Sequence, residues 1–437
     1  MDAIPLPPRP NLEQYKKRAK ELLRACKSRD QGAVRAWATI WIETLVRLHA
    51  LTIGHPGAEH RNPIETAAKC LEERVKQVNL ASSGTRSAIV TLANAQFFIA
   101  RAHGFENWPK FARHLDALNR HTPVVSQFEA AVEAIVGGDV ATLGRLLDEN
   151  PALIRARSTR THRATLLHYI SANGVEDYRQ KTPKNAVEVA QRLLDAGAEV
   201  DAEANMYGGR DKTLGLVATS IWPAKAGVLT ALIDLLLDAG AVVDGGGSRG
   251  GAVNACLHNG RPQGAAILAK HGASLDLEAA AGVGHLDVVK SFFNEDGSLK
   301  PPATRALMEA GFMWACEFGQ TSVVEFLLAR GLDPSTQVQG MGGLHWAMVG
   351  GHLDTINLLL ARGAPLEAKN CYGGTALGAA TWAIIHSDPV YRWPDVDTDW
   401  VAIIRTLLEA GANVYEADYP TGNEGVDDVL RRCGAKS

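Results

Sequence analysis

The chain has 437 residues, of which 46% are hydrophobic and 21% charged, and its formal net charge is -3 at pH 7. This length suits two or three ordinary domains or one extended array, and the composition is typical of a soluble protein. The small net charge excludes a global basic field that attracts nucleic acid or acidic lipid, so we expect no nucleic-acid partner.

The start of the chain gives an expectation about location. No apolar core follows the charges of MDAIPLPPRPNLEQYKKRAKELL, and no apolar run approaches the roughly 20 residues of a membrane span. We therefore expect a cytoplasmic protein without a membrane partner. The six cysteines are scattered singly, without a Cys-x-x-Cys pair, so we expect reduced thiols, no metal site and no cofactor.

Residues 1–120 are predicted to form helices. Apolar residues at helical spacing, in a helix that begins near Pro10 and Asn11, are Leu12, Tyr15, Ala19, Leu22 and Leu23. Further amphipathic stretches follow, and the last of them divides into two helices at a glycine turn, Gly104. The basic stretch from Lys16 to Lys27 leaves open a second role, docking on an acidic partner.

A repeated phrase marks the rest of the chain. Its Leu-Leu pair supplies the apolar face of a helix, and its glycine ends that helix in a left-handed conformation that other residues adopt only at a cost. The copies are LLDAGAEVDA (193–202), LLLDAGAVVDG (235–245), LAKHGASLDL (268–277), LLARGLDPS (327–335), LLLARGAPLEA (358–368) and LLEAGANVYEA (407–417), with a degenerate copy ending at Gly297.

Together with ATLLHYIS, GGLHWAMVGGHLDTI and YGGTALGAA, these phrases resemble the ankyrin repeat, whose period is near 33 residues. The resemblance covers roughly residues 124 to 434. It implies an all-α solenoid of about eight units, several with insertions, in which each unit is stable only when stacked on its neighbours. It also implies structural roles for His168 and His345, and for His285 and His352 in the Gly-His turn.

The first 120 residues are similar to the helical segment that precedes ankyrin arrays in many bacterial proteins. The implied role is a cap that shields the apolar end of the array, since terminal repeats need a polar outer face. We therefore predict a helical N-terminal cap domain at 1–120 and an ankyrin-repeat array at 124–434.

Alignment of the units by their glycines nominates the residues that line the concave face. Trp314, Trp346 and Trp382 occupy equivalent or nearby positions in three successive units, which predicts an aromatic strip along one wall. The alternative is that these indoles pack against neighbouring repeats. If they line a groove, Trp314→Ala and Trp346→Ala should leave folding nearly intact.

Three units carry extra residues, at 173–185, 220–228 and 382–400. Insertions at equivalent places in a solenoid stack on one edge, so these could form a wall that closes the groove into a pocket. The longest concentrates acids and indoles, including Trp393, Asp395, Asp397 and Asp399. The alternative for its acids is a solvated loop that caps the helix beginning near Trp400.

The family resemblance implies recognition of a protein partner through the concave face, and this is the first functional hypothesis. Aromatic rings with a few polar groups also suit a small apolar or sugar-like ligand. The predicted ligand- or partner-binding residues are Tyr169, Ser220, Trp222, His258, Trp314, Phe318, Trp346, Trp382 and Trp393.

The second hypothesis is an enzyme that uses acid/base carboxylates. Glu317 on an apolar wall should have a raised pKa and could act as a general acid, with Asp395, Asp397 or His258 as its partner. Paired carboxylates across an aromatic cleft are typical of glycosidases. The segment DVDTD superficially resembles the acid motif of class II terpene cyclases, but over five residues only.

Overall fold

The computed structural model describes residues 3–7, 10–30, 32–49, 63–80, 89, 91–120, 123–244, 251–386 and 398–435. These residues are mostly helical, as expected for an all-α protein, with two short hairpins as their sheets. The chain forms two compact units, residues 1–242 and 243–437. The predicted domain boundary at 120–124 lies inside the first unit.

The first unit contains eleven α-helices among its described residues, a two-stranded antiparallel hairpin and three 3-10 segments. The helices are α1 (Leu12–Lys27), α2 (Ala33–His49), α3 (Pro63–Leu80), α4 (Leu92–Ala102), α5 (Trp108–Asn119), α6 (Pro123–Gly137), α7 (Val140–Glu149), α8 (Ala186–Asp195), α9 (Thr213–Thr219), α10 (Ile221–Lys225) and α11 (Leu229–Asp238). The strands are β1 (Glu203–Ala204) and β2 (Asp211–Lys212), with Glu203 opposite Lys212, and the 3-10 segments are Pro151–Arg155, Leu167–Ser171 and Asp177–Arg179.

The predicted first helix is present and begins where its sequence indicates. The Asn11 side chain accepts the Glu13 N–H at 2.8 Å, which satisfies one of the free donors at the start of α1. The apolar face of α1 buries Tyr15, Ala19 and Leu22 against α2 and α4. One core of this unit therefore forms from the helices of the first 120 residues.

The second unit repeats helix pairs along the chain. Its helices are α12 (Gly251–His258), α13 (Pro262–Lys270), α14 (Leu277–Gly282), α15 (Leu286–Ser291), α16 (Arg305–Glu317), α17 (Thr321–Ala329), α18 (Gly343–Gly350), α19 (Leu353–Ala361), α20 (Ala376–His386), α21 (Trp400–Glu409) and α22 (Glu424–Arg432). The strands β3 (Gln337–Val338) and β4 (Met341–Gly342) form an antiparallel hairpin, and Val414–Glu416 is a 3-10 turn.

The inner helices α14, α16, α18 and α20 stack in that order through small residues. Ala281, Ala315, Ala347 and Ala380 are fully buried. At Gly311 a Cβ would stand 2.8 Å from the Cβ of Ala281, which is closer than real Cβ atoms approach. Glycine at this position therefore sets the spacing between α14 and α16.

The structure confirms the predicted role of the repeated glycine. All seven of these glycines adopt φ between 78° and 99°, the left-handed region in which glycine carries no Cβ penalty. They are Gly197, Gly240, Gly272, Gly297, Gly331, Gly363 and Gly411.

The structural role of two predicted histidines is also confirmed. His345 accepts the Gly342 N–H at Nδ1, and its Nε2 lies 3.2 Å from the Gly374 carbonyl. This contact joins successive repeats of the second unit. His168 is fully buried and contacts Thr165 and the Asp211 carbonyl in the same manner.

The first insertion, 173–185, is anchored in the interior of the first unit. Arg160 donates to Glu129 at 2.7 Å and lies 2.8 Å from Glu176, and all three side chains have little or no contact with solvent. Arg179, from the inserted 3-10 segment, donates to Glu129 and Glu133 of α6, at 2.7 Å in each case. The insertion is therefore tied onto α6 by a buried ionic network.

Burial opposes the ionisation of Glu176, but Arg160 and Arg179 hold its pKa well below its usual range. Removal of the cation that pairs with a buried carboxylate strongly destabilises a protein, because an uncompensated charge remains in the interior. We expect Arg160→Leu to reduce the free energy of unfolding by roughly 3–5 kcal/mol, measured by urea denaturation of the full chain.

The matched control is Arg145→Leu, which removes an exposed i,i+4 pair with Glu149 and should cost about 1 kcal/mol or less. Equal denaturation midpoints for the two variants would contradict the importance of the buried network.

Candidate functional site

A polar cluster lies where the inner helices α12, α14 and α16 meet. The Glu278 carboxylate accepts two hydrogen bonds at the same oxygen, Oε1, each of 2.9 Å: one from Nε2 of His258 and one from Nε1 of Trp314. Glu278 and Trp314 are buried, whereas the His258 side chain is 51% exposed. The imidazole is thus fixed from inside the protein and presented at the surface. We call His258, Glu278 and Trp314 the carboxylate cluster.

Helix α14 is positioned for this contact by its first turn. Asp276 caps the helix by accepting the Ala279 N–H at 2.7 Å, and the same side chain accepts from the Asn254 amide of α12. A Cβ at Gly282 would meet Leu257 at 2.5 Å and the Trp314 Cβ at 3.2 Å. The missing side chain lets the three helices approach closely, so residues of α12 and α16 reach one carboxylate of α14.

Aromatic rings continue from the cluster toward α18. Trp314 and Phe318 stack with ring centroids 5.7 Å apart, and Trp346 lies 6.5 Å from Trp314 at an interplanar angle of 54°. The structure therefore brings together two of the three predicted indoles. Trp382 is 57% exposed, and its ring partner is His386, at 4.8 Å.

Glu317 ends helix α16 one turn beyond Trp314. Its Oε2 is shielded from solvent and has no hydrogen-bond partner within the described ranges, and burial raises the pKa of this carboxyl to about 7. The raised pKa predicted from the sequence is confirmed. Of its predicted partners, His258 is bonded to Glu278 instead, and Asp395 and Asp397 lie outside the described residues.

Tyr169 and Ser220 of the first unit were predicted to line the binding surface, but both are buried. Tyr169 is 1% exposed and packs on Phe128 and His162, so the prediction that it lines a groove was wrong. The reason is local: its segment, Leu167–Ser171, is a 3-10 helix, which has a tighter turn than the α-helix assumed in the alignment.

The second insertion, 220–228, contains the short helix α10. Ser220 is buried and caps α10 by accepting the Trp222 N–H, whereas Trp222 is half-buried with the Lys225 ammonium over its ring. These residues belong to the first unit, and the carboxylate cluster belongs to the second.

The third insertion is described only at its ends. Trp393, like Asp395 and Asp397, lies outside the described residues. Asp399 caps α21 by accepting the Ala402 N–H at 2.9 Å, which confirms the capping alternative for this acid.

Sequence reasoning missed Glu278, the residue that organises the cluster. The signal available was its place in the first turn of an inner helix. Its bond to Trp314 spans 36 residues of sequence and follows only from the stacking of α14 on α16.

Comparison with known proteins gives a partial match. Residues 312–392 match the family described as ankyrin repeats, in three copies. No curated protein matches the chain. The match includes Trp314, Glu317, Phe318, Trp346 and Trp382.

Two further findings concern the described part of the chain alone. None of its helices combines the length and the apolar character needed to cross a membrane. No group of three or more His, Cys, Asp or Glu side chains within the same ranges could hold a metal ion.

The burial of Trp314 reverses the expectation for its replacement. At 5% exposure, and with its indole N–H bonded to Glu278, Trp314 is part of the packed interior. We expect Trp314→Ala to lower the free energy of unfolding by roughly 3–5 kcal/mol. Trp382→Ala is the matched control and should change stability by about 1 kcal/mol or less. Equal unfolding midpoints would contradict this assignment.

The raised pKa of Glu317 predicts a pH-dependent stability. The folded state holds this proton more tightly than the unfolded chain, so the stabilisation is complete below pH 4.5 and is lost as the pH rises through about 7. Glu317→Gln, which keeps the neutral shape, should match the parent near pH 4.5 and exceed its free energy of unfolding by up to about 3 kcal/mol at pH 8. A difference that stays constant over this range would show that the carboxyl is not buried in the neutral form.

Proposed function

We propose that the second unit binds a protein partner through partly and fully exposed side chains on its inner helices. This surface, here called the inner-helix face, carries His258, Phe318, Trp346, Val349 and Trp382. The ankyrin-repeat match at 312–392 supports the proposal because such repeats typically mediate protein–protein interaction.

The observation that carries the proposal is the exposure of large apolar side chains on the inner helices. Val349 is 50% and Trp382 57% exposed, although both are on inner helices whose other faces are buried. Tryptophan is among the residues that dominate binding energy at protein interfaces, and such residues gain most when the partner removes them from water.

The carboxylate cluster supports this proposal through rigidity. Glu278 fixes Trp314, and Trp314 in turn stacks against Phe318 and lies beside Trp346. A surface whose side chains are already ordered loses less conformational entropy when it binds. His258 adds a polar contact, because Glu278 engages its Nε2 and leaves Nδ1 for a partner.

The extent of the repeat array along the chain is part of the same proposal. We infer that the array runs from 124 to 434 and that residues 1–120 shield its apolar end as a cap. The many buried contacts of α1, α2, α4 and α5 support a stable helical domain at this end. A cytoplasmic location remains a prediction from the sequence.

Affinity capture with two baits, the parent protein and a variant of the inner-helix face, tests the proposal. We expect the double variant Trp346→Ala/Trp382→Ala to lose a partner that the parent protein retains, because two apolar anchors are removed from the inner-helix face. The bound proteins are identified by mass spectrometry, and the binding is then measured with the purified partner. A loss of at least tenfold in affinity corresponds to about 1.4 kcal/mol.

Tyr415→Ala is the matched control, since this exposed aromatic residue lies in the 3-10 turn Val414–Glu416 and outside the inner-helix face. The control should bind as the parent does. A partner that is lost with Tyr415→Ala but retained by the double variant would move the binding surface away from the inner helices.

A further inference from the structure

A second candidate site lies in the first unit, beside helix α5. Here a pocket of about 570 Å³ opens between α5, the loop 159–163 and the start of α6. Its polar lining includes Lys110, Arg113, His114, Thr159, Arg163 and Asn205. A volume of this size is typical of small-molecule sites.

The pocket carries two arginines whose charge is not matched by a carboxylate within the described ranges. Arg113 donates to the Pro109 carbonyl at 3.3 Å, and Arg163 donates to the Ser158 carbonyl at 3.1 Å. Each guanidinium uses one of its five N–H donors in this way. Both side chains are exposed, so the remaining donors can reach a ligand.

The other charges around the pocket largely cancel. Lys110 is paired with Glu106, which is the acidic residue of the lining. Arg160 at the floor is matched by Glu129 and Glu176. Burial lowers the pKa of His114 to about 4, so its imidazole is neutral near pH 7. The net charge of the pocket therefore comes from Arg113 and Arg163.

Three hydrogen bonds to backbone groups of the loop 161–163 fix the loop that presents Arg163. The Thr161 N–H donates to the Gly104 carbonyl at 2.9 Å, and the Asn205 N–H donates to the His162 carbonyl at 2.7 Å. Arg163 itself has φ of 55°, an unusual conformation for this residue type, and its carbonyl accepts from Arg157 at 3.1 Å. The arginine is therefore presented by an ordered turn whose geometry is set before any ligand arrives.

Hydroxyl and amide groups complete the lining. The Thr159 hydroxyl lies 2.8 Å from Nδ1 of His114, and the Asn205 amide is exposed at the rim. Two guanidinium groups with a nearby amide suit phosphate oxygens, because arginine donates paired N–H groups to an oxyanion. The pocket is larger than phosphate alone and has room for the group that carries it.

We propose that this pocket binds a small molecule that carries a phosphate or diphosphate group, held by Arg113 and Arg163. This site is separate from the inner-helix face and belongs to the other compact unit, so its occupation does not depend on the partner proposed above. Arg113 and Arg163 are binding residues in this proposal, and no reaction is assigned to them.

Isothermal titration of the full chain with inorganic pyrophosphate tests the proposal. We expect saturable binding to the parent and at least about tenfold weaker binding for each of Arg113→Gln and Arg163→Gln, since hydrogen bonds to charged groups are removed. Arg113 is exposed on the surface of α5, so its variant should fold normally even if the loop variant does not.

The matched control is Arg120→Gln, which removes an exposed arginine at the end of the same helix and outside the pocket lining. It should bind pyrophosphate as the parent does. Undetectable binding to the parent, equal binding by all variants, or binding of citrate without binding of pyrophosphate would each overturn the proposal.

Discussion

Close stacking of the inner helices is the constraint on which the second unit depends. A single helix pair cannot bury its own apolar face, so its stability comes from its neighbours. Small residues such as Ala281, Gly311 and Ala315 let α14 and α16 pack closely. A Cβ at Gly311 would lie 3.2 Å from the backbone oxygen of Leu277. Gly343 allows the same approach of α18, since a Cβ there would lie 3.0 Å from the Phe312 ring.

This spacing also determines where larger side chains can stand. The closest contacts between inner helices are made by alanine and glycine, whereas His258 and Phe318 stand at the C-terminal ends of α12 and α16. The indole of Trp314 fits at the edge of the stack because Glu278 offers its N–H a carboxylate. Without that acceptor, a buried N–H would remain unpaired at a cost of about 1–3 kcal/mol. The surface proposed for partner binding is thus a consequence of how the helices pack.

The features that were predicted correctly are those set by local chemistry. Gly331 and its counterparts require a left-handed turn wherever a helix ends in this phrase, and His345 bonds the backbone of its own turn. The raised pKa of Glu317 was predicted from its place on the apolar wall of the repeats. The glycine and histidine features depend on residues within a few positions of the one in question.

The features that were not predicted depend on contacts between distant segments. Glu278 meets Trp314 only because α14 stacks on α16, and Arg179 meets Glu129 only because the inserted segment folds back onto α6. Tyr169 was misplaced because a 3-10 helix replaces the expected α-helix. An alignment by repeated glycines carries no information about helix type or about ion pairs across 50 residues of sequence.

Partner binding by the second unit is proposed to occur at the inner-helix face. Oxidative footprinting of the full chain, with and without its captured partner, tests this claim at the level of single side chains. We expect binding to protect Trp382 and Trp346 from oxidation while Tyr415 continues to react. Protection of Tyr415 with unchanged oxidation of both indoles would contradict this claim.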